Sequence, residues 1–201
     1  MESRSGRRPG SPQTREAILD AAVEAFTEGG YAGTTIRAVA RAAGVDPALV
    51  MHFFGNKDGL FDAAIRASGL PLRELGEAME GDPAGLGERL VRRYLSLWES
   101  PEHGPKLRAV MSSASSSPAA AGMLKEFITS EVLQPLAKQL GVDNAETRGM
   151  LAGSHLIGIA FTRYVLNVEP IASLGGEELV ACVAPAVQRY LTGDLPLAQP
   201  I

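Results

Sequence analysis

A chain of 201 residues, 45% of them hydrophobic and 21% charged, holds enough apolar material for one large or two small buried cores. Its formal net charge of −4 argues against indiscriminate nucleic-acid binding, and no uncharged apolar run approaches the roughly eighteen residues of a membrane span. The single cysteine, Cys182, excludes an internal disulfide and leads us to expect a reducing, cytoplasmic setting.

Residues 1–12 are rich in Gly, Ser, Arg and Pro, with Arg4, Arg7 and Arg8 against Glu2. No apolar segment follows them, so they read as a basic arm and not as a secretory signal. A first helix is predicted from Pro12 to Glu28, with Ile18, Ala22, Ala25 and Phe26 on one face and Gly29-Gly30 ending it. Residues 34–57 then spell a helix, a tight turn and a second short helix. Ile36, Val39, Ala40 and Ala43 form one apolar face before the turn at Ala43-Gly44-Val45. Asp46 supplies an N-cap carboxylate, and Pro47 sits at the first helical position, where its missing N–H costs nothing. Val45, Leu49 or Val50, and Phe53/Phe54 continue the apolar pattern. Two short helices crossing at a glycine turn form a helix-turn-helix, whose second helix fits the DNA major groove.

Further along, a helix is expected from Lys57 to about Met79, interrupted near Gly69-Leu70-Pro71. Asp82 caps the next one at Pro83, with Leu86, Leu90, Tyr94 and Leu97/Trp98 at helical spacing. After Pro101 and Gly104, the residues Leu107, Val110, Met111 and Ala114 form another stripe. Ser115–Ser117 is a link, and Pro118 opens a helix to about Leu140 that Pro135 should bend. Asp143 is expected to cap a long helix to Asn167. Glu177–Leu191 is the last helix, with Pro185 as a kink. No strand-like alternation stands out, so the expected fold is all-α. Its expected division is an arm at 1–12, a DNA-binding unit at 13–56, and a ligand-binding and dimerisation bundle at 57–201.

Residues from Thr14 to about Leu60 resemble the TetR (tetracycline-repressor) family. The matching pieces are Phe26–Tyr31, Thr34–Ala40, Ala43–Phe54 and Lys57. The departure is Met51, where the family usually carries an aromatic residue that touches a backbone phosphate. The resemblance implies that Arg37 reaches a base edge through its planar fork of donors, and that Lys57 contacts a phosphate. Thr34 and Thr35 suit helix capping and phosphate contact. Pro47, Leu49, His52 and Phe53 complete the candidate DNA-binding set; for His52 the alternative is a plain exposed histidine.

In such a family two late helices of each subunit form a four-helix dimer interface. Gly149, Ala152, Gly153, Gly158 and Ala160 would permit the close approach this needs, unless they serve packing within one subunit. Tyr94, Trp98, Leu107, Met111, Phe127, His155 and Phe161 are the candidate ligand-binding residues, with Met123, Leu124, Ile157, Tyr164 and Arg163 nearby. The same residues would also fill an ordinary helical core. His52, His103 and His155 are scattered, and no metal-ligand or nucleophile spacing occurs. Cys182 sits among Leu179, Val183 and Val187 and reads as a buried structural thiol. No catalytic residue, metal site or cofactor is therefore expected.

The expected function is a transcriptional repressor, released from a palindromic operator by a small apolar or aromatic effector. The expected partners are double-stranded operator DNA, that effector and a second copy of the chain, with no membrane. The alternative is an all-α enzyme or ligand carrier with a vestigial helix-turn-helix. An activator, or a repressor blind to effectors, is also compatible with the sequence.

Overall fold

Local capping chemistry sets the element order at the start of the chain. The computed structural model describes residues 12–69 and 74–196. Helix α1 (Pro12–Gly33) buries Thr14, Ile18, Ala22 and Phe26 at four-residue spacing. It breaks at Gly30, whose φ of 61° and ψ of −175° lie outside helical geometry. Thr35 caps α2 (Ile36–Ala42), and Asp46 caps α3 (Pro47–Phe54) by accepting from Ala48 N at 2.7 Å. Gly44 turns between them at φ +67°, a conformation closed to most side chains. Asn56 then caps α4 (Lys57–Ala67).

The expected helix to Met79 instead stops at Ala67, where Ser68 Oγ donates to Ile65 O at 2.6 Å and Gly69 takes φ +67°. The expected interruption at Leu70-Pro71 falls outside the described residues. After α5 (Glu74–Glu77) and a 3-10 turn at Pro83–Gly85 capped by Asp82 come α6 (Leu86–Glu99), α7 (Gly104–Ser116) and α8 (Pro118–Ile128). A π-helical turn, Thr129–Leu133, joins α8 to α9 (Gln134–Leu140). Pro135 has no N–H to donate four residues back, and its ring would crowd the carbonyl of residue 131 in regular α geometry. The wider turn before it relieves that crowding.

Helix α10 (Ala145–Ala160) starts at Asn144, a left-handed residue with no side-chain cap bond, and not at Asp143 as expected. It runs into a second π turn, Phe161–Val165. Helix α11 (Gly176–Thr192) continues through Pro185. Arg148 fastens α10 to the end of α11 by donating to Tyr190 O and Gly193 O at 3.1 and 2.9 Å, satisfying carbonyls that a helix end leaves open. All regular structure among the described residues is helical.

Two cores result. The first joins Ile18, Phe26, Val39, Val50, Leu60, Phe61 and Ile65 to Ala120 and Phe127 of α8. The second joins Leu90, Val91, Leu95, Trp98 and Leu156 to Leu179, Val183 and Val187. Here α6 lies against α11 so closely that a Cβ on Gly87 would stand 2.6 Å from Ala184 O. Gly87 N also donates to Gln188 Oε1 at 2.6 Å. Cys182 is exposed, which corrects the expectation of a buried thiol. Its apolar neighbours in sequence, Leu179, Val183 and Val187, turn inward while residue 182 points to the opposite side of α11.

Candidate functional site

Helices α2 and α3 present an open face built from few polar groups. Arg37 and Arg41 are exposed on α2, and neither has a partner among the described residues. On α3, Pro47, Ala48, Met51 and His52 are exposed, while Val50 is buried in the first core. Met51 is 46% exposed, so this face presents a thioether and not a hydrogen-bond donor at that position. Leu49 and Phe53 are half-buried, and Phe53 packs on the first core. Thr35 is exposed and its Oγ1 accepts from Ala38 N at 3.1 Å. Thr34 corrects the expectation for it. It is 3% exposed, and its hydroxyl donates inward between Gly30 O at 2.8 Å and Ala25 O at 2.9 Å. It locks the break in α1 and does not cap α2, and its hydroxyl is turned away from the surface.

Lys57 begins α4 half-buried, with Nζ 4.3 Å from the centroid of the Tyr31 ring, a cation–π distance. Tyr31 Oη donates to the Asp58 carboxylate. That bond, with burial and the Asp58 charge adding to it, pushes the phenol up to about 12. The same ring stands edge-on to Phe61 at 5.1 Å. Its backbone N–H donates to Ser113 Oγ of α7 at 2.8 Å, and Ser113, 2% exposed, donates in turn to Ala109 O at 2.7 Å. Lys106, also on α7, donates to Ser68 O at the end of α4 at 3.0 Å. Helix α7 thus grips both α1 and α4.

The other face of α7 borders a cavity of about 450 Å³ in the bundle. Leu107, Val110 and Met111 line it, together with Tyr94 and Trp98 of α6, Phe127 of α8 and Leu156 and Ile157 of α10. Phe127 belongs to the first core as well. Among the described residues no charged side chain lines the space; its polar side chains there are Tyr94, Trp98 and Gln139. Burial pushes the Tyr94 phenol well above its ordinary range.

His155 and Phe161 do not line this cavity, correcting the expectation for both. His155 faces α11, its ring 5.8 Å from that of Tyr190. Phe161 lies in the π turn beyond the lining stretch of α10. Tyr164 stacks on Trp98 at 5.4 Å from outside the cavity, and Arg163 donates to Ile171 O. Met123 packs on the first core. Gly149, Ala152 and Gly153 line the cavity, so their small size makes internal space; of the small residues, Gly158 stands on the exposed side with no atom within 4 Å of a Cβ built on it. The sequence reading missed Leu75, Val132, Leu136 and Gln139, which also line the cavity. Leu136 and Gln139 share a three-residue helical spacing, but the π turn before them shifts their phase relative to α8. Among the described residues no group of three metal-binding side chains comes together, and no helix is long and apolar enough to cross a membrane.

Comparison with known proteins gives two domain matches. Residues 18–64 match the description "Bacterial regulatory proteins, tetR family", and residues 84–191, more than half of the chain, match "Tetracyclin repressor-like, C-terminal domain". A TetR-family regulator of known structure from Streptomyces coelicolor is 35% identical, with a TM-score of 0.60 over 94% of this chain and 99% of that one. The multidrug binding protein EbrR, solved with imidazole, shares the fold at a TM-score of 0.70 and 20% identity, covering 98% of this chain and 100% of its own. The regulator BetI of Stenotrophomonas maltophilia is 31% identical over 117 residues, 48% of this chain and 58% of its own length. The chain thus spans little more than half the length of the curated relatives it matches.

Proposed function

This chain belongs to the TetR family of helix-turn-helix transcriptional regulators, and from that premise we propose that it is a repressor that leaves a palindromic operator when a small apolar or aromatic molecule fills the bundle cavity. The observation that carries this reading is the placement of α7. Leu107, Val110 and Met111 border the cavity, and on the same helix Ser113 and Lys106 hold α1 and α4. A molecule that shifts α7 moves the Tyr31–Lys57–Asp58 cluster at the root of the DNA-reading unit. Such control requires the effector to bind the two states of the protein with different affinity.

At the DNA, Arg37 is the base reader, His52 and Pro47 border the groove, and Thr35 and Lys57 meet phosphates. Leu49 and Phe53 set the tilt of α3 from below. One short recognition helix spans too few base pairs for a unique site, so a symmetric dimer is required. The exposed residues Met150, Ser154 and Gly158 of α10, with Cys182 and Pro185 exposed on the helix α11 that packs against it, are its proposed contact; Met150 is 52% exposed.

Selection of bound sequences from a random DNA pool, followed by screening of organic molecules on the selected site, tests the reading. A palindromic consensus released by an apolar molecule is the expected result. Absence of any selected sequence would favour the ligand-carrier alternative.

A further inference from the structure

The cavity wall carries a hydrogen-bond donor that no described residue fully satisfies. Trp98 is 2% exposed, yet its Nε1–H makes no hydrogen bond of normal geometry among the described residues; the Tyr94 hydroxyl is near enough to feel it without meeting that geometry. A buried donor without an acceptor is a standing cost that native structures rarely carry without a reason. Indole nitrogen only donates, so nothing but an acceptor can relieve it. Tyr94 lies one helical turn before it on α6, their rings 6.2 Å apart and edge to face. Burial raises the Tyr94 phenol, and a weak hydrogen-bonding contact from the Trp98 N–H opposes it in part. Tyr94 remains partly accessible although it sits deep in the bundle, because it too borders the cavity.

We propose that the cavity selects an uncharged molecule with an apolar body and one hydrogen-bond acceptor oxygen, seated against Trp98 Nε1–H and Tyr94 Oη–H. This rests on the effector reading above and names the class of ligand it would take. The remainder of the lining is aliphatic and aromatic apart from Gln139, an exposed residue beside Gly76. With no carboxylate among the described residues of the wall, a permanent cation would be stripped of water against ring faces. With no lysine or arginine among those residues, an anion would find no counter-charge on them. A carbonyl or ether oxygen satisfies the indole and brings no charge into an apolar space.

Three probes of similar bulk separate the possibilities. Benzophenone carries the acceptor. In 1,1-diphenylethylene a CH₂ group replaces that oxygen with nearly the same shape. Benzyltrimethylammonium brings a permanent cation. Calorimetric titration of the full chain should show benzophenone bound on the order of ten-fold more tightly than the alkene. In Trp98→Phe, which keeps an aromatic ring and removes the N–H, this ratio should fall to within about three-fold. Tyr94→Phe should reduce it by a smaller factor. The ratio cancels any general loss of packing, and thermal unfolding reports the folding of each variant separately.

Equal binding of ketone and alkene by the unaltered protein, or a ratio unchanged in Trp98→Phe, would overturn the proposal. Tighter binding of the ammonium probe would overturn the neutral class while leaving the cavity as the effector site. Failure of all three to bind would overturn the effector reading itself, and this inference with it.

Discussion

In the N-terminal unit Phe26, Tyr31 and Phe61 pack ring on ring, and Ile18, Val39, Val50 and Leu60 are wholly inaccessible. In the bundle, Trp98, Leu107 and Leu156 are almost as well shielded from outside, but they border about 450 Å³ of space. The first region is packed to hold one geometry, as a helix-turn-helix that must fit a DNA groove requires. The second keeps its helices together through the tight α6–α11 contact at Gly87 and leaves its middle open. Protein interiors seldom hold gaps much larger than a water, and a void of several hundred Å³ is the size of a ligand pocket. Rigidity and vacancy are thus divided between two cores, and α7 touches both.

The largest expected effect probes that division through stability. Phe61→Ala removes a ring packed on all sides and should cost about 3–5 kcal/mol in chemical denaturation. Met111→Ala, on the half-buried cavity wall, should cost no more than about 2 kcal/mol, because fewer contacts are lost beside an existing void. Equal losses would mean that the two cores are packed alike.

A second comparison sits within the DNA-reading unit. Arg37→Ala should weaken binding to a selected operator by about 1–3 kcal/mol and relax the preference at one base pair of each half-site. Lys57→Ala should weaken all sequences alike and reduce the slope of affinity against salt by about 1. Competition binding across single-base operator variants and a salt titration separate the two roles. Unchanged affinity in both variants would remove these residues from the interface.

The junction itself is tested by Ser113→Ala. It leaves Tyr31 N–H buried without its acceptor, at a cost of about 1–3 kcal/mol. An effector found by screening should still bind this variant but release operator DNA less completely. Full release would show that α7 transmits through other contacts.

The smallest effect is a pH dependence. In the folded protein Tyr31 holds its proton up to about 12, against an ordinary value near 10. Between those values the folded state binds more protons than the unfolded chain, so this contribution is complete below pH 10 and is lost as pH rises toward 12. Tyr31→Phe should flatten that part of the alkaline fall in stability, read from denaturation midpoints between pH 9 and about 11.5. An unaltered slope would show that the Asp58 hydrogen bond does not persist in solution. Tyr164, raised to about 12 by burial and by its bond to Glu99, leaves a remaining slope in either case.

The DNA-reading unit was legible because its signals are local. Asp46-Pro47 starts a helix and Gly44 turns the chain through chemistry confined to a few neighbouring residues. Thr34 escaped because which of two adjacent threonines caps α2 depends on where Gly30 breaks α1, and the break turns Thr34 inward. In the bundle, helical spacing brought Tyr94, Trp98, Leu107 and Met111 to one wall. His155 failed by helical phase, and Phe161 because a π turn follows α10; neither shows in a list of apolar residues. Cys182 shows the converse, since apolar neighbours in sequence are not neighbours in space on a helix. Gly149 and Gly153 could have met a partner chain or an internal void, and only the packing of α10 against its neighbours turned them to the void.

The sequence by itself determined an all-α chain, its family and its helix-turn-helix, because periodicity, caps and turn glycines act over a few residues. Tertiary structure alone decided which apolar residues fill a core and which border a cavity, that no described residue gives the Trp98 indole an acceptor in normal hydrogen-bond geometry, and that α7 joins cavity to DNA unit. Those are relations between faces of distant helices, and no spacing along one helix encodes what the next one brings against it.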